Sequence, residues 1–233
     1  VYPNGRLVSH ILGVTDVDGR GVAGIENYFD QSLRHNGKPL RLSIDLRVQS
    51  ILRDELAHSM SEFKSLGATG LVMDVQTGEL LAMASLPDFD PNRPLDMTDD
   101  ALFNRATKGV YEMGSTFKLF TAAMALDSGI VSMSDGYDAS KPIRVAKFMI
   151  RDFHATNRWL SVPEIILHSS NIGAAKMAID LGGAVQRSYL GKFGMLEPAQ
   201  LEIPEVGVPL MPSVWRPINT MTISYGHGIS VSP

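Results

Sequence analysis

Residues 116–127 read Thr-Phe-Lys-Leu-Phe-Thr-Ala-Ala-Met-Ala-Leu-Asp, and after Lys118 the run carries no charge until Asp127. The pattern is helical. Phe117, Leu119, Phe120, Ala122, Ala123, Met124 and Leu126 leave hardly any polar face, so the spacing predicts a helix that the rest of the chain must bury. Gly129 is its expected stop.

At the start of this run Ser115 stands three residues before Lys118. Positions i and i+3 share a helix face, so the amine can reach the hydroxyl, as a base must reach its nucleophile. The spacing alone is weak evidence, because roughly one chance match is expected in a chain of this length. A second match exists, Ser61-Glu-Phe-Lys64. Its surroundings are charged, with Glu55 upstream and Glu62 between the pair, so Lys64 stays solvated and makes a poor base. Ser115 follows Gly114, which permits a tight entry into the helix. It sits at an amino end whose unpaired N–H groups favour a developing oxyanion. The apolar run behind it should bury Lys118 and lower its pKa toward useful values. The competing reading of this segment is an N-cap serine beside a snorkelling lysine.

Composition limits the alternatives. The 233 residues are 44% hydrophobic and 20% charged, enough for a sizeable core, and the net charge of -4 argues against nucleic-acid or anionic-membrane partners. With no cysteine, disulfides, thiol chemistry and Cys-liganded zinc are excluded, while an oxidising compartment stays compatible. The six histidines form no metal-binding spacing, so neither a metal nor a cofactor is expected. No apolar stretch reaches 18 residues. The chain opens at Val1 rather than Met, which suggests a piece of a longer protein with any anchor outside it.

Residues 1–40 are rich in glycine and turn signals, with one helical pattern near Ile25 to Leu33, and read as an arm. A short strand is expected over 41–46, then a long helix over 46–63 with apolar Val48, Ile51, Leu52, Leu56, Met60 and Phe63. Two apolar runs around Gln76-Thr-Gly78 predict an antiparallel hairpin, followed by a Pro-rich loop over 86–94. Helices are expected over 162–168, capped by Ser161 with Pro163 in the first turn, and over 172–181. A helical piece from Trp215 runs into Gly226-His-Gly228. Strands followed by a helical block indicate an α+β fold with an antiparallel sheet that looks unfinished.

Between the two later helices lies Ser169-Ser170-Asn171. A Ser-x-Asn unit offers a hydroxyl to relay a proton and an amide to hold a substrate carbonyl or the lysine. Standing alone it would be read as helix capping by Ser169 or Asn171. Two such motifs in order, each at a helix junction, are harder to explain by capping.

With these residues the chain resembles the class B penicillin-binding proteins, particularly septal peptidoglycan D,D-transpeptidases of the FtsI or penicillin-binding protein 3 type. The motifs that carry it are Ser115-Thr-Phe-Lys118 and Ser169-Ser-Asn171. They are supported by Gly24-Ile-Glu26 onward in the arm, Ile44-Asp45, Pro87-Asp-Phe-Asp-Pro-Asn92 and Gly226-His-Gly-Ile-Ser230. The resemblance implies the penicillin-binding, β-lactamase-like transpeptidase fold: an antiparallel sheet flanked by helices. Residues 1–40 would be an arm of the non-catalytic pedestal region, and 41–233 a transpeptidase domain lacking its C-terminal part.

Three departures stand out. The family's third motif, Lys-Ser/Thr-Gly, occurs nowhere in the sequence; the link over 35–38 is short; and Met113 replaces a common proline.

The resemblance also implies a reaction. Ser115 attacks the penultimate D-Ala carbonyl of a peptidoglycan stem peptide while Lys118 takes its proton. Asn171 binds the substrate amide and Ser169 relays a proton to the departing D-Ala. The backbone N–H of Ser115 is one oxyanion donor. A neighbouring stem amine then attacks the acyl-enzyme, and β-lactams trap Ser115. Implied partners are D-Ala-D-Ala stem peptides, β-lactams and divisome membrane proteins including a septal glycosyltransferase. The implied location is the inner membrane, with the catalytic domain in the periplasm.

Two rival readings compete with this one. A serine β-lactamase needs a deacylating carboxylate, and Glu164-Ile-Ile-Leu-His168 superficially resembles such a loop. However, Glu164 precedes Ser169, and a β-lactamase has no place for the arm. The other rival is a catalytically inactive penicillin-binding scaffold, which for a chain lacking the third motif stays open.

Overall fold

A computed structural model describes residues 1–145 and 148–233. They form two compact units, one of residues 1–110 with 199–208 and 232–233, the other of residues 111–198 with 209–231.

The first unit holds helices α1 (Ser9–Leu12), α2 (Gly24–Tyr28), α3 (Asp30–Asn36), α4 (Leu46–Glu62) and α5 (Asp99–Leu102), with strands β1 (Ala68–Met73) and β2 (Leu80–Leu86). The hairpin expected around residues 76–78 is present: β1 and β2 pair antiparallel from Ala68 opposite Leu86 to Met73 opposite Leu80. The Asp74 carboxylate closes the turn by accepting from the N–H groups of Gln76 and Thr77. The arm helix is broken at Phe29 into α2 and α3. The strand expected over 41–46 is not formed. That segment is tied to β2 by the Asp45 N–H on the Leu81 carbonyl and the Ser43 hydroxyl on the Leu80 carbonyl, too few bonds for a ladder.

Helix α4 packs on the hairpin in a way its periodicity did not announce. Ile51 and Phe63 are exposed, whereas Gln49 is buried. The Gln49 amide donates to the Leu7 and Met83 carbonyls and accepts from the Met83 N–H, so no polar atom is stranded by its burial.

The second unit holds α6 (Phe117–Asp127), β3 (Gly136–Asp138), β4 (Ile143–Val145), β5 (Phe148–Ile150), β6 (Trp159–Ser161), α7 (Val162–Leu167), α8 (Asn171–Leu181), α9 (Gly183–Lys192) and α10 (Pro217–Ile223). Among the described residues β3 pairs with β6 and β4 with β5, both antiparallel. Helix α6 packs against α7, α8 and α9, burying Phe117, Lys118, Thr121, Ala122, Met124 and Ala125. Its burial is not all round: Leu119 is 59% exposed. Apolar composition reports what a helix face tolerates, not what covers it.

Helices α7 and α8 approach closely because Gly173 has no side chain. A Cβ there would stand 2.5 Å from Cγ1 of the fully buried Ile165. This tight crossing fixes the short turn between them, the turn that carries Ser169 and Ser170.

Candidate active site

Ser115 lies in a 3-10 turn, Gly114–Thr116, that feeds directly into α6. It does not cap the helix. Its hydroxyl is exposed, and behind it Lys118 is 3% exposed. The Lys118 ammonium donates to Ser115 Oγ at 2.9 Å, to the Ser169 carbonyl at 2.7 Å and to Ser169 Oγ at 2.8 Å. These three acceptors match its three N–H groups. In the neutral amine one contact must reverse. The carbonyl can only accept, so the free lone pair can face only the Ser115 or the Ser169 hydroxyl. Nζ therefore bridges two hydroxyls and can take a proton from either. Burial brings the Lys118 pKa down to about 8, against an opposing pull from the Asp152 carboxylate. That places the Lys118 amine close to neutral pH, where a group can exchange protons most effectively.

The second half of the site is built by α7 and α8. The sequence left capping to Ser169 or Asn171, but the N-cap of α8 is Ser170, whose buried hydroxyl accepts from the Gly173 N–H at 2.9 Å. The motif's middle position does the capping, which leaves its outer two residues for other work. Ser169 takes φ +52°, the left-handed region, and turns both its oxygens toward Lys118. The Lys118 hydrogen bonds go to Ser115 and Ser169, not to Asn171. The Asn171 side-chain amide donates to the Arg151 carbonyl at 2.9 Å. Ser115, Lys118 and Ser169 are thus brought into one hydrogen-bonded cluster, with Asn171 two residues along the same turn.

Residues 68–233 match the family model described as the penicillin binding protein transpeptidase domain. The chain belongs to this family. It is 43% identical over 237 residues to the Caulobacter vibrioides protein named "Probable peptidoglycan D,D-transpeptidase FtsI", with 100% of this chain and 40% of that one covered. Against the peptidoglycan D,D-transpeptidase FtsI of Escherichia coli K12 the identity is 29% over 261 residues, covering 100% and 44%. Among solved structures, penicillin binding protein 3 of Mycobacterium tuberculosis aligns over all of this chain and 55% of its own with a TM-score of 0.88 at 24% identity. A peptidoglycan glycosyltransferase from Burkholderia ambifaria aligns over 82% of this chain and 57% of its own with a TM-score of 0.73 at 30% identity. The α+β penicillin-binding transpeptidase fold is thereby established. The chain spans 40% and 44% of the length of the two curated relatives.

In this transpeptidase domain the glycine-rich segment at 226–228 supports the turn that carries Ser115. Gly226 has φ +74°, and a Cβ on it would lie 2.1 Å from the Gly114 carbonyl oxygen. The Gly114 N–H donates to the Gly226 carbonyl at 3.2 Å. Glu112 secures the same segment, accepting from the Gly228 N–H at 2.7 Å and pairing with His227 at 2.8 Å.

Reading the motifs by themselves missed Asp152, Ser170 and Glu112. Serine's preference for the N-cap could have found Ser170. Nothing local pointed to Asp152, whose partners lie 18 and 20 residues away. Ser61 and Lys64 sit exposed at the end of α4 and just beyond it. Glu164 is engaged in a capping box with Ser161 and an ion pair with Arg158 at 2.8 Å, which hold its carboxyl down at about 2. Among the described residues no group of three or more His, Asp or Glu side chains gathers as metal ligands would.

Proposed function

We propose that the protein from which this transpeptidase domain comes is a serine D,D-transpeptidase that cross-links peptidoglycan stem peptides in septal wall synthesis. The observation that carries this reading is the Lys118 amine, buried and hydrogen-bonded to both Ser115 and Ser169. Ser115 Oγ attacks the penultimate D-Ala carbonyl and passes its proton to Lys118. The Ser115 backbone N–H donates to the oxyanion. As the tetrahedral adduct collapses, the C–N bond to terminal D-Ala breaks, and Ser169, fed from Lys118, supplies the proton its amine takes away. The ester on Ser115 is then attacked by a neighbouring stem amine, which releases Ser115 with its proton restored. Asn171 holds the substrate amide. β-Lactams enter by the same first step and remain as esters.

Glu164 speaks against a hydrolase of the β-lactamase kind. Its carboxylate is committed to Ser161 and Arg158 and is far too weak a base to activate water near neutral pH. The septal role, divisome partners including a glycosyltransferase, and a membrane-anchored, periplasmic setting are what the FtsI-type resemblance implies. Among the described residues no helix is long and apolar enough to cross a membrane. We place residues 1–40 with the non-catalytic pedestal and 41–233 in the transpeptidase domain, within which the family match falls.

The test is to incubate the full-length protein with a fluorescent penicillin and map the labelled peptide. Label is expected on Ser115 and is lost in Ser115→Ala. Label elsewhere, or undiminished labelling of the variant, overturns the reading.

A further inference from the structure

The turn that presents Ser169 to Lys118 closes α7 through its own backbone, with the Ser169 N–H on the Ile166 carbonyl at 3.1 Å and the Ser170 N–H on the Ile165 carbonyl at 2.9 Å, and it is tied a second time from outside. Ser169 takes the left-handed conformation of such a helix end, which residues other than glycine seldom adopt, so it gains from a further tie. That second tie is the segment just after β5. Asp152 Oδ2 accepts from the buried Ser170 hydroxyl at 2.8 Å, and Asp152 Oδ1 accepts from the Ile172 N–H at 2.9 Å. The adjacent Arg151 carbonyl accepts from the Asn171 amide at 2.9 Å. Residues 170, 171 and 172 are therefore each tied to Arg151 or Asp152, and Ser169 is the residue immediately before them.

We propose that Asp152 is a positioning residue for the nucleophile and its base, clamping Ser170 and Ile172 so that Ser169 keeps both its oxygens on Lys118. Asp152 touches neither Ser115 nor the reacting atoms. It acts through the turn, and its carboxylate is also the charged group that acts on Lys118, the other partners being the neutral oxygens of Ser115 and Ser169. The inference rests on reading Ser115 and Lys118 as nucleophile and base. A carboxylate serving only to stabilise the amino end of α8 would change stability and nothing else, and this difference makes the proposal testable.

The experiment uses full-length protein with Asp152→Asn and Ser170→Ala, and two measurements. One is the rate of acylation by a fluorescent penicillin across pH. The other is the titration of Lys118, followed by NMR of 13Cε-labelled lysine and assigned with Lys118→Arg. Asp152→Asn removes the negative charge that holds the Lys118 proton, so Lys118 should titrate at lower pH and the acid limb of the rate profile should move down with it. The loosened turn should cut the plateau rate by about 10- to 100-fold, the scale on which small misplacements act. Ser170→Ala keeps the charge and loses one arm of the clamp. Its rate should fall while its acid limb stays in place.

An Asp152→Asn protein with a wild-type rate profile and an unmoved Lys118, or one altered only in melting temperature, overturns the proposal. So does a Ser170→Ala protein that labels at the wild-type rate, which also settles the matter if Asp152→Asn does not fold. Failure of the wild type to label at all would remove the transpeptidase reading instead, and the Lys118 titration would still decide whether Asp152 acts on the lysine.

Discussion

The chain contains two Ser-x-x-Lys pairs of identical spacing, and they have different fates. At Ser61 and Lys64 the serine lies in the last turn of α4, the lysine falls just past the helix in a left-handed conformation, and both are exposed. At Ser115 and Lys118 the serine precedes the helix, the lysine is inside it and buried, and the amine bonds both Ser115 and Ser169. Spacing brings the two groups within reach. What sets Lys118 apart, and fits it for the base proposed above, is desolvation and a second partner from the turn between α7 and α8. The comparison teaches that a catalytic spacing should be judged by where the helix starts and what lies behind it.

The largest expected effect separates the two pairs directly. Lys118→Ala in the full-length protein should slow acylation by about a thousandfold, within the usual range for loss of a general base. Lys64→Ala should leave the rate as it is. Stopped-flow measurement with a chromogenic β-lactam checks both. A Lys118 variant acylated within a few-fold of wild type would break the comparison, as would any large loss at Lys64.

Next in size is the pH dependence. With the Lys118 pKa near 8, the amine is protonated and unable to accept below that value, and free to accept above it. The acylation rate should therefore rise about tenfold per pH unit below 8 and flatten above it. A rate that is flat from pH 6 to 8, or one still climbing past pH 9, would show that a different group limits proton transfer.

How far these features were legible in the sequence differs from one residue to the next. The hairpin, the α7 and α8 helices and the Ser161 cap follow from local pattern, because their partners lie within a few residues. Gln49 shows the opposite case. It is a polar residue on a charged helix, buried because Leu7 and Met83 happen to supply its hydrogen bonds from far away in the chain. Asp152 is the same kind of residue within the site. The motif residues could be picked out as serine, lysine and asparagine at helix junctions, but the carboxylate that ties their turn has no spacing to betray it. Spacing could not decide at Ser115 either, since α6 alone leaves it balanced between nucleophile and cap.

The smallest expected effect belongs to a third serine with a charged residue three positions on, Ser161 and Glu164. Here the arrangement is purely structural. Ser161 Oγ accepts from the Glu164 N–H at 3.4 Å, and Glu164 Oε2 accepts from the Ser161 N–H at 2.9 Å. Both close the amino end of α7, the helix that leads into Ser169. Ser161→Ala should lower stability by about 1 kcal/mol, as loss of a cap does elsewhere. Because Glu164 is held at about 2 rather than its ordinary 4.5, its contribution is complete above pH 4.5 and disappears as pH falls toward 2. Ser161→Ala takes away one of the hydrogen bonds that depress Glu164, that from the Ser161 hydroxyl at 2.9 Å, so the gap between variant and wild type should be widest at neutral pH and narrow on acidification. Denaturant melts at pH 7 and pH 3 test this. A gap that widens in acid would mean that Glu164 is not held by Ser161. A large loss of acylation by the folded variant would mean that this third pair serves the site after all, and that the line drawn between cap and catalyst lies in the wrong place.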